Sequence, residues 1–220
     1  MRTSLQGIAR KAKENKRHRF RDLYRLLNEE ALLESWRRLN KAAAAGADRV
    51  TAREYEHELL SNIRELVKRL KEKRYKAKLV RRVYIPKGGG KLRPLGIPAL
   101  EDRLVQGEAA QILNAIYEQD FLSNSFGYRP KRGALEAVQR LSGKLQFEAY
   151  SYVVEADIKG FFDHIDHQWL IRMLELRIDD GATVVCRIAR LSNDTTSAQV
   201  ADQEAEEVGI RGVLSGEGAS

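Results

Sequence analysis

Cysteine is almost absent. Cys186 is the only one in 220 residues, which excludes an internal disulfide and any metal site built from several thiolates. Cys186 itself reads as a small side chain in a helix. No apolar run reaches the length of a transmembrane helix, so no membrane partner is expected. The opening MRTSLQGIARKAKENKRHRF is basic but lacks the apolar stretch of a secretory signal. These absences point to a cytoplasmic protein, free or bound to nucleic acid. Aromatics are scarce at 7%, and none follows Trp169, so the last part of the chain has little with which to build a core. No internal repeat is present.

Acidic residues are scarce in the first part of the chain. Residues 1–93 hold 27 Lys and Arg against 11 Asp and Glu, a net of +16, whereas residues 94–220 hold 12 against 20, a net of −8. An excess of one sign over several successive elements attracts phosphate backbones at long range. The plainer reading is a set of solvated helix faces.

Apolar spacing then outlines the elements. Residues 2–19 read as a loosely ordered arm or a short helix. Residues 20–40 place Leu23, Leu26, Leu27, Ala31, Leu33 and Trp36 at helical spacings, with Asn28 as a break between two short helices. Residues 41–51 connect: Gly46 stops the alanine run, and Thr51 with Glu54 makes a capping box. The helix that follows carries Tyr55, Leu59, Ile63, Leu66, Val67 and Leu70 on one side, and Arg64, Lys68, Arg69, Lys71 and Arg74 on the other. Residues 78–87 and 92–98 read as strands joined by the turn 88–91, with Pro94 marking an edge. Helices are expected over 100–118, from 133 onward with Leu135, Val138 and Leu141 as its stripe, and over 166–180 with Asp166 as N-cap. Residues 125–133, SFGYRPKRG, form a loop. Residues 152–158 read as the best strand in the chain. Residues 191–220 carry six acids and one base, and a poorly ordered tail is expected there.

Asp157 is the leading candidate for chemistry. A carboxylate at the end of a strand can meet a divalent ion, but magnesium chemistry on a triphosphate wants at least two fixed carboxylates, and no convincing second strand carries one. The alternative is an acid capping the next helix. Phe161 and Phe162 follow Gly160; one suits the core and the other could form a wall beneath a sugar ring. Asp163 and Asp166 read as caps. His164 and His167 lie three apart with no third ligand near. The hairpin RRVYIPKGGGKLRPL gathers Arg81, Arg82, Lys87, Lys91 and Arg93, donors that match triphosphate oxygens, although its glycines do not follow the spaced phosphate-loop pattern. Tyr128 with Arg129, Lys131 and Arg132 embeds an aromatic in positive charge, a set able to stack on a base and hold phosphates.

In order, YIPKGGGKLRPLGIP, AIYEQDFLSNSFGYRPKRGALEAV and VVEADIKGFFDHIDHQWL resemble the group II intron reverse transcriptase–maturase family over roughly residues 20–180. The resemblance implies fingers followed by the start of a palm. It implies Asp157 as a catalytic aspartate binding Mg²⁺, with the Ile158 carbonyl beside it, and Phe162 under the incoming deoxyribose. Lys87 and Arg93, with Arg81 as a third, match the basic fingers residues at the triphosphate. Residues 20–77 match the extension that holds template and intron RNA, although AAAAGAD stands where the family has a more glycine-rich turn. The family's PQG segment and its Tyr-Ala-Asp-Asp strand are missing.

The expected fold is therefore α+β: a basic arm (1–19), a helical N-terminal extension (20–77), a fingers hairpin with an incomplete reverse-transcriptase palm (78–182) and a divergent tail (183–220). The expected function is that of a truncated RNA-directed DNA polymerase/maturase, inactive alone. Its partners would be group II intron RNA or another structured RNA, with deoxynucleotide and primer-template in the full-length family. The alternatives are a non-catalytic intron-RNA-binding module and an unstable pseudogene product.

Overall fold

The computed structural model describes residues 2–87, 91–150, 152–158, 161 and 164–180. The described chain divides into two units: Phe20–Gln111 with residues 178–180, and Arg2–Arg19 with Ile112–Arg177. The fold is α+β, with a helical N-terminal region and a small antiparallel hairpin.

In the first unit, a 3-10 turn over Leu23–Leu26 leads to helix α2 (Glu29–Arg38); helix α1 (Arg2–Glu14) belongs to the other unit. Asn28 separates the two as expected, its side chain accepting from the Ala31 N–H at 3.0 Å. The capping box also forms: the Thr51 hydroxyl accepts from the Glu54 N–H at 3.2 Å, and the Glu54 carboxylate accepts from the Thr51 N–H at 2.8 Å. The helix it starts is not continuous. It breaks at Glu58 into α3 (Ala52–His57) and α4 (Leu59–Lys71). The Asn62 side chain donates to the Tyr55 carbonyl at 3.0 Å, occupying an acceptor close to the break.

Helix α4 buries Ile63, Leu66, Val67 and Leu70, the side its spacing marks as apolar. Leu32 of α2 and Leu100 and Leu104 of helix α5 (Leu100–Tyr117) are likewise fully buried. Trp36 stacks at a tilt on Tyr55, ring centres 5.7 Å apart. Two glycines allow close approaches. A Cβ on Gly46 would meet the Ala99 backbone at 2.6 Å, and one on Gly107 would meet the Ser35 hydroxyl at 2.9 Å. That hydroxyl donates to the Leu104 carbonyl at 3.0 Å, tying α2 to α5.

Strands β1 (Arg81–Lys87) and β2 (Lys91–Ile97) pair antiparallel, with Arg81 opposite Ile97 and Lys87 opposite Lys91. Tyr84 faces Pro94 in this register. Both strands of a two-stranded sheet are edges, which is where proline is tolerated. The 88–90 turn lies outside the described residues.

The second unit contains α1 (Arg2–Glu14), α6 (Ala134–Phe147) and α7 (His167–Glu175). Of the two readings of residues 2–19, the helix is the one that forms. Asp166 caps α7, accepting from the N–H groups of Gln168 at 2.8 Å and Trp169 at 3.2 Å. The helix ends at Glu175, short of the expected 180. Leu135, Val138 and Leu141 do form one stripe on α6, but the helix buries none of its residues.

The strand expected over 152–158 does not form. The segment has neither helix nor ladder, every residue in it is exposed, and Val154 shows 89% of its surface. An apolar strand is held by neighbours that take its backbone groups. Among the described residues, the two named strands pair only with each other. The 191–220 tail lies outside the described residues.

Candidate functional site

The hairpin register sorts the basic residues. Positions directly opposite share a face, and side chains alternate along a strand. Arg93 pairs with Ile85, and Lys91 with Lys87. Positions 81, 85, 87, 91 and 93 therefore fall on one face, with position 82 on the other. Along the strands, Arg93 stands two residues, about 7 Å, from the Lys87–Lys91 pair. Arg81 stands a further four residues along, about 14 Å. Arg81 and Arg93 are exposed.

The root of this hairpin is fixed by a carboxylate that the apolar pattern of α5 does not announce. Asp102, 1% exposed, accepts from the Tyr75 hydroxyl and from the Lys78 N–H, the latter at 3.0 Å. The Lys78 ammonium pairs with Asp48 at 3.0 Å. The carboxylate thus ties the chain entering β1 to α5. Burial pushes the Asp102 carboxyl up, opposed by the bonds from Tyr75 and Lys78. Burial also pushes the Tyr75 phenol up, keeping it a donor. Glu108 is equally buried and pairs with Arg38 at 3.0 Å; burial raises it too, with Arg38 opposing. Glu108 was legible in principle: it lies four residues from both Leu104 and Ile112 and so shares their buried stripe.

Both carboxyls hold a proton more readily in the folded chain than in the unfolded one. The stability they contribute is full below their ordinary values of 3.8 and 4.5 and is lost as pH rises through the raised folded values. The Asp102→Asn/Glu108→Gln double variant loses this dependence. In urea unfolding, the stability of the natural chain relative to the variant is expected to fall as pH rises from about 4 to about 8. A difference that is flat or grows with pH would contradict the assignment.

The 125–133 loop spends its arginines internally. The Arg129 guanidinium donates to both oxygens of Glu118, at 2.7 and 3.2 Å, and to the carbonyls of Leu122 and Ser125 at 2.8 and 2.7 Å. It also lies 5.1 Å from the Phe121 ring centre. Glu118 is held below the usual carboxylate range, first by its hydrogen bond from Arg129. Arg132 donates to the Ser123 carbonyl at 2.8 Å and pairs with Glu136 at 3.2 Å. The reading of this loop as a cluster of phosphate-facing cations is corrected to that extent: a guanidinium can cap carbonyls as readily as it meets phosphate. Tyr128 and Lys131 remain exposed, at left-handed φ of 55° and 61°. Such backbone costs about 1–3 kcal/mol at each residue.

Asp157 and Ile158 lie in the exposed extended segment 152–158. Phe161 is 50% exposed; Phe162 and Asp163 lie outside the described residues. Among the described residues, no group of three or more His, Cys, Asp or Glu side chains could hold a metal ion. The donors described do not fit a magnesium centre, because a hard dication needs several fixed oxygens and the described residues put no carboxylate cluster around Asp157. Also among the described residues, no helix is long and apolar enough to cross a membrane.

Residues 85–198 match the family described as "Reverse transcriptase (RNA-dependent DNA polymerase)". The chain is 38% identical over 181 residues to the group II intron-encoded protein LtrA of Lactococcus lactis, a match covering 80% of this chain and 29% of LtrA. It is 42% identical over 106 residues to the protein YkfC of Escherichia coli, covering 46% of this chain and 27% of YkfC. A putative COX1/OXI3 intron 2 protein of Saccharomyces cerevisiae is 32% identical over 121 residues, covering 55% of this chain and 14% of that protein. The matched region is thus less than a third of the length of each of these relatives.

Proposed function

This chain belongs to the reverse transcriptase (RNA-dependent DNA polymerase) family, in its group II intron-encoded reverse transcriptase–maturase branch, and from that premise we propose that it binds structured RNA through its basic N-terminal half and does not polymerise by itself. The observation that carries the binding reading is α4. One side of that helix is wholly in the core, while Arg64, Lys68 and Lys71 recur at spacings of four and three on the exposed side. Arg64 reaches Glu29 only at 3.5 Å, and both side chains are more than half exposed, so that pair holds Arg64 weakly. Arg74, just past the helix, pairs with Glu72.

On this reading 20–77 is the RNA-holding extension, 78–182 the fingers and partial palm, and intron RNA the partner. Lys87 and Arg93 would meet the polyphosphate of an incoming deoxynucleotide in a complete enzyme, with Arg81 further along the hairpin. Phe162 would line the sugar pocket, and Asp157 with the Ile158 carbonyl would belong to the metal site. Family resemblance supports a metal cofactor in general terms. Among the described residues, the carboxylates do not complete its site.

Charge reversal of Arg64, Lys68, Lys71 and Arg74 together tests it. Filter binding at several salt concentrations is expected to show a loss of affinity across unrelated RNA sequences and a shallower dependence on log salt. Unchanged affinity would show that this face does not meet RNA.

A further inference from the structure

The 125–133 loop is a built platform for one aromatic ring. Arg129, with a side chain only 7% exposed, holds the loop from inside through Glu118 and the carbonyls of Leu122 and Ser125. Arg132 and Arg140 both donate to the Ser123 carbonyl, at 2.8 and 2.7 Å, closing the same loop from the other side. The Arg132 N–H donates to the Arg129 carbonyl at 3.2 Å across the turn. Between these fixed points Tyr128 is fully exposed, at 103% of its reference surface. It sits in a left-handed conformation that a tyrosine seldom adopts. An apolar ring placed wholly in water, on backbone it disfavours, is not there for packing among the described residues. A strained residue kept in place by its surroundings is a pointer to function.

We infer that Tyr128 is a stacking platform for an unpaired nucleobase of the bound RNA, with Lys131 beside it for a neighbouring phosphate. Any base offers a flat π-face, so stacking on an aromatic side chain tolerates sequence. Unpaired bases are the ones free to be splayed onto a side chain; those in a duplex are not. The immediate chemistry favours nucleic acid over a protein partner. Lys131 is exposed three residues away in the same turn, and an apolar protein patch would gain nothing from a cation there. Preorganisation fits the role as well, since the loop is already ordered by internal bonds and little entropy is left to lose on binding.

The inference rests on the RNA-binding reading above, and the experiment separates the two. Fluorescence anisotropy of the full 220-residue chain would be measured with a single-stranded oligoribonucleotide and with a blunt RNA duplex. Tyr128→Ala is expected to weaken single-strand binding between about fivefold and a hundredfold and to leave duplex binding nearly unchanged. The slope of log affinity against log salt is expected to stay the same, because no charge is removed. Tyr128→Phe and Tyr128→Trp are expected to bind as the natural chain does. Lys131→Ala is expected to reduce the single-strand slope by about 0.7. Tyr128→Asn keeps a side chain that tolerates the left-handed backbone while removing the ring, so it carries the test if the alanine variant folds poorly.

Equal binding by Tyr128→Asn and the natural chain would overturn the inference, leaving the ring to a protein partner, while RNA binding itself stood. An equal loss on duplex and single strand would also overturn it, because stacking on an unpaired base cannot act on a closed duplex. Failure of the natural chain to bind either RNA would overturn both readings.

Discussion

Incubated with a primer on an RNA template, deoxynucleotides and Mg²⁺, the 220-residue chain is expected to leave the primer unextended. In-line nucleotidyl transfer uses two ions about 3.5–4 Å apart, each neutralising charge on the attacking or leaving oxygen. Holding two dications that close requires several carboxylates fixed against one another. Asp157 instead lies in an exposed segment with no ladder, and the described residues offer no group of three or more donors. The sequence adds nothing to it, since the Tyr-Ala-Asp-Asp strand of the family does not occur anywhere in the 220 residues. Denaturing gel electrophoresis of a labelled primer measures the outcome against a no-protein blank. Extension that disappears in Asp157→Ala would sink the expectation and show that carboxylates from outside the described residues complete the site. Extension that survives Asp157→Ala would indicate a contaminating polymerase.

The largest expected effect on stability is at Arg177. Its side chain is 6% exposed and forms an ion pair with Asp120 at 3.2 Å. It also donates to the carbonyls of Ala12 at 3.1 Å, Asn15 at 3.2 Å and Lys16. These carbonyls lie at and just beyond the C-terminal end of α1, where helical carbonyls lack partners within the helix. One guanidinium therefore caps that helix end and balances a carboxylate. Arg177→Ala leaves these acceptors without their donor, at a cost of about 3–5 kcal/mol if the pair behaves as buried. Asp120 is 29% exposed, so water replaces part of the loss, and about 2–4 kcal/mol is expected. Arg177→Lys keeps the charge without the planar fork and is expected to recover less than half. Hydrogen exchange over residues 2–14, together with urea unfolding, measures it: α1 is expected to lose protection first. Unchanged protection of α1 in Arg177→Ala would show that the helix is held by something else.

Legibility in the sequence followed the range of the interaction. Asn28, the Thr51–Glu54 box and Asp166 act on backbone groups two or three residues away, and each was readable and formed. The apolar side of α4, the hairpin around 88–90 and its edge proline rest on periods of a few residues, and these formed as well. Order along the chain also sufficed for the family, since three motifs in sequence carry it without any contact being known. The break at Glu58 was missed because a capping box marks where a helix begins and says nothing about how far it runs.

Tertiary structure decided the partners of charge. Arg129 and Arg132 read in sequence as cations for phosphate, yet they cap carbonyls and pair with Glu118 and Glu136. Arg177 lies more than 160 residues from the carbonyls it serves, and no local pattern links them. The apolar pattern of α5 gives no sign that Asp102 is buried, and only its spacing from Leu104 and Ile112 places Glu108 on the buried stripe. The segment 152–158 has the composition of a strand and none of its pairing, because composition supplies side chains suited to a sheet while only neighbouring strands supply the hydrogen bonds. Short-range order is written in spacing. A charge or a strand takes its meaning from what the rest of the chain brings beside it, since the same guanidinium can be solvated, paired or capped and only packing chooses among them.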